Sequence, residues 1–378
     1  MKIAVVHDYF TQLGGAERVA EALFQMFPGA TVFTTVVDKK KLPVGLQEAE
    51  IRTSWMQKLP AVDRLYRHYV PFYPFAVASL DLTGYDLVIS SSSGFAKGVR
   101  VDPKAVHVCY CHNPMRWAWR FEDYAAREKF SVTQKCVLPL LVNTLKQWDL
   151  DASRQPDQFV VNSKVVAERV RKAYNRNSVV IPPPIDVNRF SIGVQQDDFY
   201  LVLSRLVGYK RIDLAIEACK QLKRKLVIIG AGTDRSRLEK MAGPGIEFLG
   251  RAPDDVVESY VSRCRALLFP GDEDFGMVPL EVNSAGRPVI AFHAGGATET
   301  IIDGLNGVFF YEPTAQSLAL AIEDFEKRSW SPQAIRRHAE GFGIQVFEQR
   351  MMNLLSSFVR LPGKVSPIVP EKAAVAVA

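Results

Sequence analysis

The chain has 378 residues, more than one ordinary core accommodates, so two domains are expected. Its apolar content of 48% is that of a globular protein, and without a run of 18 apolar residues no membrane-spanning helix is expected. A formal charge of +6 favours anionic partners, such as diphosphates or an acidic membrane surface, and neither a dense Lys/Arg tract nor a known motif marks a nucleic-acid binder.

Met1–Val6 is too short for a signal segment and reads as the first strand, which makes the cytoplasm the expected compartment. Asp8 ends that strand and points into a cleft, its role open. Gly14 and Gly15 form a glycine loop before an amphipathic helix over Ala16–Met26, where Glu17 and Arg18 read as surface charges. Ala30–Val37 is a second strand. Arg52–Leu80 then interleaves Trp55, Lys58, Arg64, Tyr69, Phe72 and Phe75 without a continuous apolar span. That pattern suits either an element touching lipid headgroups or a partly buried helix pair.

Leu87–Ser90, Val106–Tyr110 and Phe159–Val161 read as buried strands alternating with helices, which predicts a parallel sheet. Cys109 and Cys111 share one strand face and read as packing; five cysteines, an odd number, fit reduced thiols, and no metal site is expected. His112 follows at a strand C-terminus facing the cleft, as either a ligand-binding or a structural histidine. Arg116, Trp117, Trp119 and Arg120 are placed to meet an acceptor sugar and phosphate, or to pack. The triplet Pro182–Pro184 forbids helix and stiffens the chain, so residues 1–184 form one domain.

The pattern restarts beyond it, in a second domain over residues 185–344. Strands are expected at Phe199–Ser204, Leu226–Ile229, Ile246–Leu249, Arg265–Phe269 and Pro288–Phe292, with a helix at Ile212–Leu222. Arg205 and Lys210 follow the first of these strands; an arginine fork beside a lysine point charge suits a diphosphate. Gly230 and Gly232 form an incomplete Gly-x-Gly turn. Asp254 reads as a helix N-cap or as a base-pocket residue. A helix over about 345–360 is expected to return to the first domain, and residues 361–378 read as a disordered tail.

Two carboxylates seven residues apart, Glu273 and Glu281, carry the sharpest signal. Between them, Phe275-Gly276-Met277 opens a helix after the strand that ends at Phe269. Free amides there attract phosphate, and the glycine permits close backbone approach. Glu281, about two turns into that helix, is placed for ribose hydroxyls, and Glu273 on the loop for a sugar.

In this E-x7-E with its embedded Phe-Gly, the chain resembles the retaining glycosyltransferases of family 4, over Met1 to about Phe358. It is most similar to bacterial mannosyltransferases that build lipid-linked exopolysaccharide units of the acetan and xanthan type. The resemblance implies the GT-B fold: two doubly wound α/β domains facing across a cleft. It implies a GDP-mannose donor, a polyprenyl-diphosphate-linked oligosaccharide acceptor, an α-mannoside product and work at the inner face of the cytoplasmic membrane. It places Gly14, Gly15, Arg205, Lys210, Asp254, Glu273, Phe275, Gly276, Met277 and Glu281 at the donor, with His112 on the transferred sugar and no cofactor. A UDP-sugar donor or a nucleotide-sugar epimerase is the alternative. A Rossmann oxidoreductase would need a full Gly-x-Gly-x-x-Gly after the first strand, which Gly14-Gly15 does not supply.

Overall fold

The computed structural model describes residues 1–119, 132–193 and 195–359, without the side chains of Trp117 and residues 132–139. Arg120 and the tail 361–378 therefore lie outside the described residues, as does the Trp117 side chain.

Two all-parallel sheets account for the chain. The first comprises β1 (Ile3–His7), β2 (Thr31–Thr34), β3 (Ile51–Thr53), β4 (Leu87–Ser92), β5 (Val106–Cys111), β6 (Gln158–Val161) and β7 (Ser178–Val180), in the order β3-β2-β1-β4-β5-β6-β7. The second comprises β8 (Tyr200–Leu203), β9 (Leu226–Ile229), β10 (Ile246–Gly250), β11 (Leu267–Phe269), β12 (Val289–Phe292) and β13 (Gly307–Phe310), in the order β10-β9-β8-β11-β12-β13. Both are doubly wound. Strand order reverses between β1 and β4 in one and between β8 and β11 in the other, and ligands bind beyond strand C-termini at such points. The fold class read from the sequence is thus the one observed.

The central strands are buried along their length because helices cover both faces. Three strands escaped the sequence reading. β3 and β7 are three-residue edge strands with half-exposed side chains, too short to stand out in the sequence. β13, the other edge missed, is four residues long and opens on a glycine. β7 also shortens the expected linker, since Val179 and Val180 pair with Val160 and Val161.

The linker ends at Ile185, whose amide donates to the Phe342 carbonyl at 3.0 Å. From there the chain returns as the helix Ile344–Leu355. Its Phe347, Met351 and Leu355 enter the first domain's core beside Val5, Leu23, Ile89 and Tyr110. The C-terminal helix therefore belongs to the first domain by packing.

Asp8 is a structural residue and not a cleft group. It is buried, and its carboxylate accepts from the amides of Ser93, Phe95 and Ala96, at 2.6, 2.8 and 2.6 Å. It thereby caps the loop that leaves β4.

The incomplete glycine turn after β9 also has a packing role. Gly230 has φ +144°, and a Cβ there would lie 1.8 Å from the Ser204 carbonyl oxygen. Only glycine lets this turn lie against the loop that carries Arg205. Gly230→Ala is expected to destabilise the second domain by about 3 kcal/mol, lowering its melting temperature by roughly 6–12 °C. Differential scanning calorimetry checks this; an unchanged melting profile would show that the turn relaxes freely.

Candidate active site

The loops after β1, β5, β8 and β11 meet in the cleft between the sheets. The helix Met277–Ser284 starts at Gly276, whose φ of +80° is the left-handed conformation that favours glycine. Its first amides face outward from the end of β11. Glu281 is the fifth residue of this helix, so it lies about one turn in and not two. Phe275 turns its side chain away from the cleft, into a hinge core with Ile185, Leu280 and Phe342. Only its backbone is available to a ligand.

Gly295 and Gly296 support the Glu273 loop from behind. The Gly296 amide donates to the Glu273 carbonyl at 2.8 Å, and a Cβ on Gly295 would lie 2.2 Å from the same oxygen. Gly271 also packs on the Lys210 backbone, whose Cα lies 3.0 Å from where its Cβ would be. The loops after β8 and β11 are therefore one unit. Within it Lys210 forms an ion pair with Glu273. Arg205 is exposed beside them, and its guanidinium donates to the Tyr209 hydroxyl at 3.1 Å. Asp254 opens the helix Asp254–Arg263, and its side chain makes no cap. It accepts instead from Arg189, just beyond the linker, at 2.8 Å. Arg189 reaches on towards Glu281, 4.0 Å away, so the suspected base and ribose residues share one cation.

The first domain closes on this unit through charged contacts. Gly15 faces Met277; a Cβ there would be 3.0 Å from its sulfur. Arg18 pairs with Glu281, which is buried, so Arg18 is not the plain surface charge its sequence context suggested. Glu17 is corrected too: it is buried, against His7. Glu299 accepts from the amides of Lys164 and Val165 at 2.9 and 3.2 Å, capping the first domain's helix Lys164–Tyr174 from across the cleft.

Asp274 is the residue that sequence reasoning missed. Its carboxylate accepts from Asn113 at 2.7 Å and from the guanidinium groups of Arg116 and Arg169. Its own carbonyl accepts from the Ser163 hydroxyl at 2.6 Å. Burial alone would raise its pKa. Arg116, Arg169 and the Asn113 hydrogen bond outweigh this and hold it below the ordinary value of 3.8. Arg116, expected to meet an acceptor, is thus engaged in the domain contact, though still half-exposed.

His112 lies beside Asn113 at the end of β5. Its backbone N–H donates to Ser92 and its carbonyl accepts from Asn162, at 2.9 and 3.1 Å. Burial, reinforced by His7, pushes its pKa down to about 3, so the ring is neutral. Among the described residues no group of His, Cys, Asp or Glu could hold a metal ion. Cys109 and Cys111 are buried and free, with pKa values pushed up by burial. A concavity of about 480 Å³ around Tyr260 and Arg263 lies by Lys225 and Gly245 at the N-terminal ends of the second sheet's strands, away from these groups.

Two doubly wound domains with donors, carboxylates and helix amides at facing switch points define the GT-B class of fold. HepE of Anabaena, solved with UDP, superposes with a TM-score of 0.70 at 20% identity, over 95% of this chain and all of that one. Sucrose-phosphate synthase of Thermosynechococcus elongatus gives 0.72 at 16% identity, over 94% and 99%. Residues 13–189 match the family model "Glycosyltransferase Family 4" and residues 184–342 match "Glycosyl transferases group 1". Taken together these matches span both domains, and the chain belongs to the family 4 glycosyltransferases.

An uncharacterized glycosyltransferase of Methanocaldococcus jannaschii is 31% identical over 163 residues, 42% of this chain and 46% of that protein. The GDP-mannose-dependent α-(1-6)-phosphatidylinositol monomannoside mannosyltransferase of Mycolicibacterium smegmatis is 25% identical over 50% of this chain and 56% of its own. The α-1,3/1,6-mannosyltransferase alg2 of Schizosaccharomyces pombe is 24% identical over 81% and 70%. The chain spans about half the length of the first curated relatives it matches.

The Asp274 clamp has a pH signature. Its folded-state pKa lies below the unfolded one, so its contribution is complete above the ordinary carboxylate range and disappears as pH falls through the lowered value. Asp274→Asn is expected to weaken domain closure at pH 7 by about 1–3 kcal/mol. Small-angle X-ray scattering should show a larger radius of gyration for the variant at pH 7 and convergence with the wild type once the pH has fallen through that lowered value. Superimposable curves at pH 7 would mean that the clamp does not hold the domains.

Proposed function

We propose that this chain transfers mannose from GDP-mannose to a sugar on a polyprenyl-diphosphate carrier in exopolysaccharide assembly, with retention of configuration. The observation that carries the reading is the Lys210–Glu273 ion pair at the second sheet's switch point, next to the open amides of the Met277–Ser284 helix. A donor diphosphate takes Lys210, Arg205 and these amides. Glu273 is then released to accept from hydroxyls of the transferred sugar, and Glu281 exchanges Arg18 for the ribose. The printed names of two relatives, both mannosyltransferases and one GDP-mannose-dependent, support the choice of donor. Asp254 supports guanine, since a carboxylate can accept from its two N–H groups, which uracil lacks.

The acceptor attacks on the face the diphosphate leaves, and a donor phosphate oxygen takes its proton. Arg205, Lys210 and the helix amides stabilise the departing charge, at roughly 3–4 kcal/mol per preorganised contact. No metal is required in this scheme, because those groups meet the diphosphate charge. No covalent intermediate on a protein carboxylate is involved, unlike retaining glycosidases.

The two signature carboxylates should separate in binding and turnover. Glu281→Ala is expected to weaken GDP and GDP-mannose alike, while Glu273→Ala keeps GDP affinity and loses about a hundredfold or more in kcat. Lys210→Ala should lose a similar factor without unfolding. Calorimetric titration of GDP beside steady-state rates decides it. Equal loss of GDP affinity in both glutamate variants would refute the assignment.

The Arg52–Leu80 stretch supports work at a membrane. Its Met56, Val62 and Tyr73 are buried, while Trp55, Leu65, Phe72 and Phe75 are exposed. Arg64 and Lys58 stand among them. Among the described residues no helix is long and apolar enough to cross a membrane. The protein is expected to sediment with anionic vesicles and to release at high salt. Equal binding to neutral and anionic vesicles would remove the electrostatic part of this reading.

A further inference from the structure

Four polar side chains at the end of the first sheet form a chain that the donor contacts above do not use. His7 closes β1, Ser91 lies in β4, His112 follows β5, and Glu17 lies in the first turn of the helix Gly15–Gln25. His7 Nδ1 is 3.1 Å from the Ser91 carbonyl oxygen and 3.1 Å from Ser91 Oγ. Ser91 Oγ is 2.8 Å from His112 Nε2. On the other side, Glu17 Oε1 is 4.0 Å from His7 Nε2. His7, Glu17 and Ser91 are all buried, and Glu17 Oε2 meets no hydrogen-bond donor.

These contacts fix where the protons go. A carbonyl only accepts, so His7 Nδ1 carries a proton directed at the Ser91 oxygens. A bare lone pair on His7 Nε2 would face a carboxylate, so the Glu17–His7 pair holds a proton on that side as well. Ser91 Oγ accepts from His7 and has its own proton left to donate. The one remaining partner recorded for it is His112 Nε2. Leaving a buried hydroxyl proton unused costs about 1–3 kcal/mol. Ser91 therefore donates to His112 Nε2, and the neutral His112 ring carries its proton on Nδ1. That nitrogen makes no hydrogen bond within the described residues. His7, Glu17 and Asp274 are the charged or titratable groups that act on the ring.

We propose that Glu17, His7 and Ser91 are positioning residues that fix His112 as its Nδ1–H tautomer, so that it presents a hydrogen-bond donor to a sugar hydroxyl in the cleft. The part concerning the sugar rests on the transferase reading; the tautomer does not. Glu17 anchors the outer end of the relay by facing the Nε2 side of the buried His7 ring. The Ser91 carbonyl keeps His7 Nδ1 a donor, His7 keeps the Ser91 hydroxyl turned, and Ser91 denies His112 a proton on Nε2. The relay thus works through three buried groups, and only its last member, His112, reaches the cleft.

Nitrogen shifts read the tautomer directly. In protein carrying nitrogen-15 histidine, with His112 assigned through His112→Asn, Nδ1 should be protonated and Nε2 bare. Ser91→Ala should erase that preference, and Ser91→Thr, which keeps the hydroxyl, should preserve it. In transfer assays Glu17→Gln and Ser91→Ala should lower kcat about ten- to a hundredfold, as loss of the outer partners of a functional histidine does. Donor KM should be unchanged, and Ser91→Thr should restore the rate. A proton on His112 Nε2 in the unaltered protein, or a tautomer indifferent to Ser91→Ala, overturns the proposal. Normal kcat in both Glu17→Gln and Ser91→Ala overturns it too. Absence of transfer from any nucleotide-sugar by the unaltered protein would instead refute the transferase reading, and the nitrogen shifts alone would then judge the relay.

Discussion

Asp274 ties the two domains together, and most of the cleft's geometry follows from that one carboxylate. It belongs to the loop after β11, yet its partners Asn113, Arg116 and Arg169 all belong to the first domain. The same loop carries Glu273 on one side and the start of the Met277–Ser284 helix on the other. Fixing Asp274 therefore fixes the distance from the helix amides to His112 and to the glycine loop. A carboxylate this enclosed would be expensive alone; two guanidinium groups and an amide make it affordable. Glu299 and Arg18 add contacts of the same kind at the flanks.

The polar groups in the cleft sort by burial. Glu281, Glu17, Ser91 and His7 are sealed from solvent, whereas Arg205 and Arg18 are not. Sealed groups in a low-dielectric setting hold one arrangement, because each lost hydrogen bond there costs more than in water. Exposed arginines can change partners at little cost, since surface ion pairs contribute about 0–1 kcal/mol. The site thus combines rigid acceptors with movable cations, which suits a donor that must be bound and released.

Much of this was legible in the sequence because the long-range signals were local ones repeated. Apolar runs marked the central strands, the proline triplet marked the linker, and Phe275-Gly276-Met277 marked the helix start after β11. What escaped was either too short or tertiary in origin. β3 and β7 have three residues each and pair on one side alone. Asp274 looks like any acidic loop residue until three partners far along the chain converge on it. Glu17 did leave a trace: it lies three residues before buried Ala20, on the helix's inner stripe, where helical periodicity calls for an apolar residue. A charge at an inner position is the pattern that deserves a partner search. Phe275 shows the converse. The helix start containing it was legible, but its ring packs into the hinge core and leaves only its backbone toward the cleft.

The ion pairs also bear on how donor binding and domain contact are linked. On the proposed reading, a ribose that takes Glu281 removes the partner of Arg18, and a diphosphate that takes Lys210 removes the partner of Glu273. The first exchange loosens a contact between domains, and the second leaves the Asp274 clamp untouched. Binding free energy lost to breaking the Arg18 pair is small, because Arg18 is half-exposed. Contacts to a diphosphate in a preorganised site are larger, roughly 3–4 kcal/mol each. Exchange therefore favours the donor, while the domains stay joined through Asp274 and Glu299. On that reading one coupling between donor affinity and domain closure runs through Arg18 and Glu281, and by linkage a change that strengthens that pair weakens donor binding.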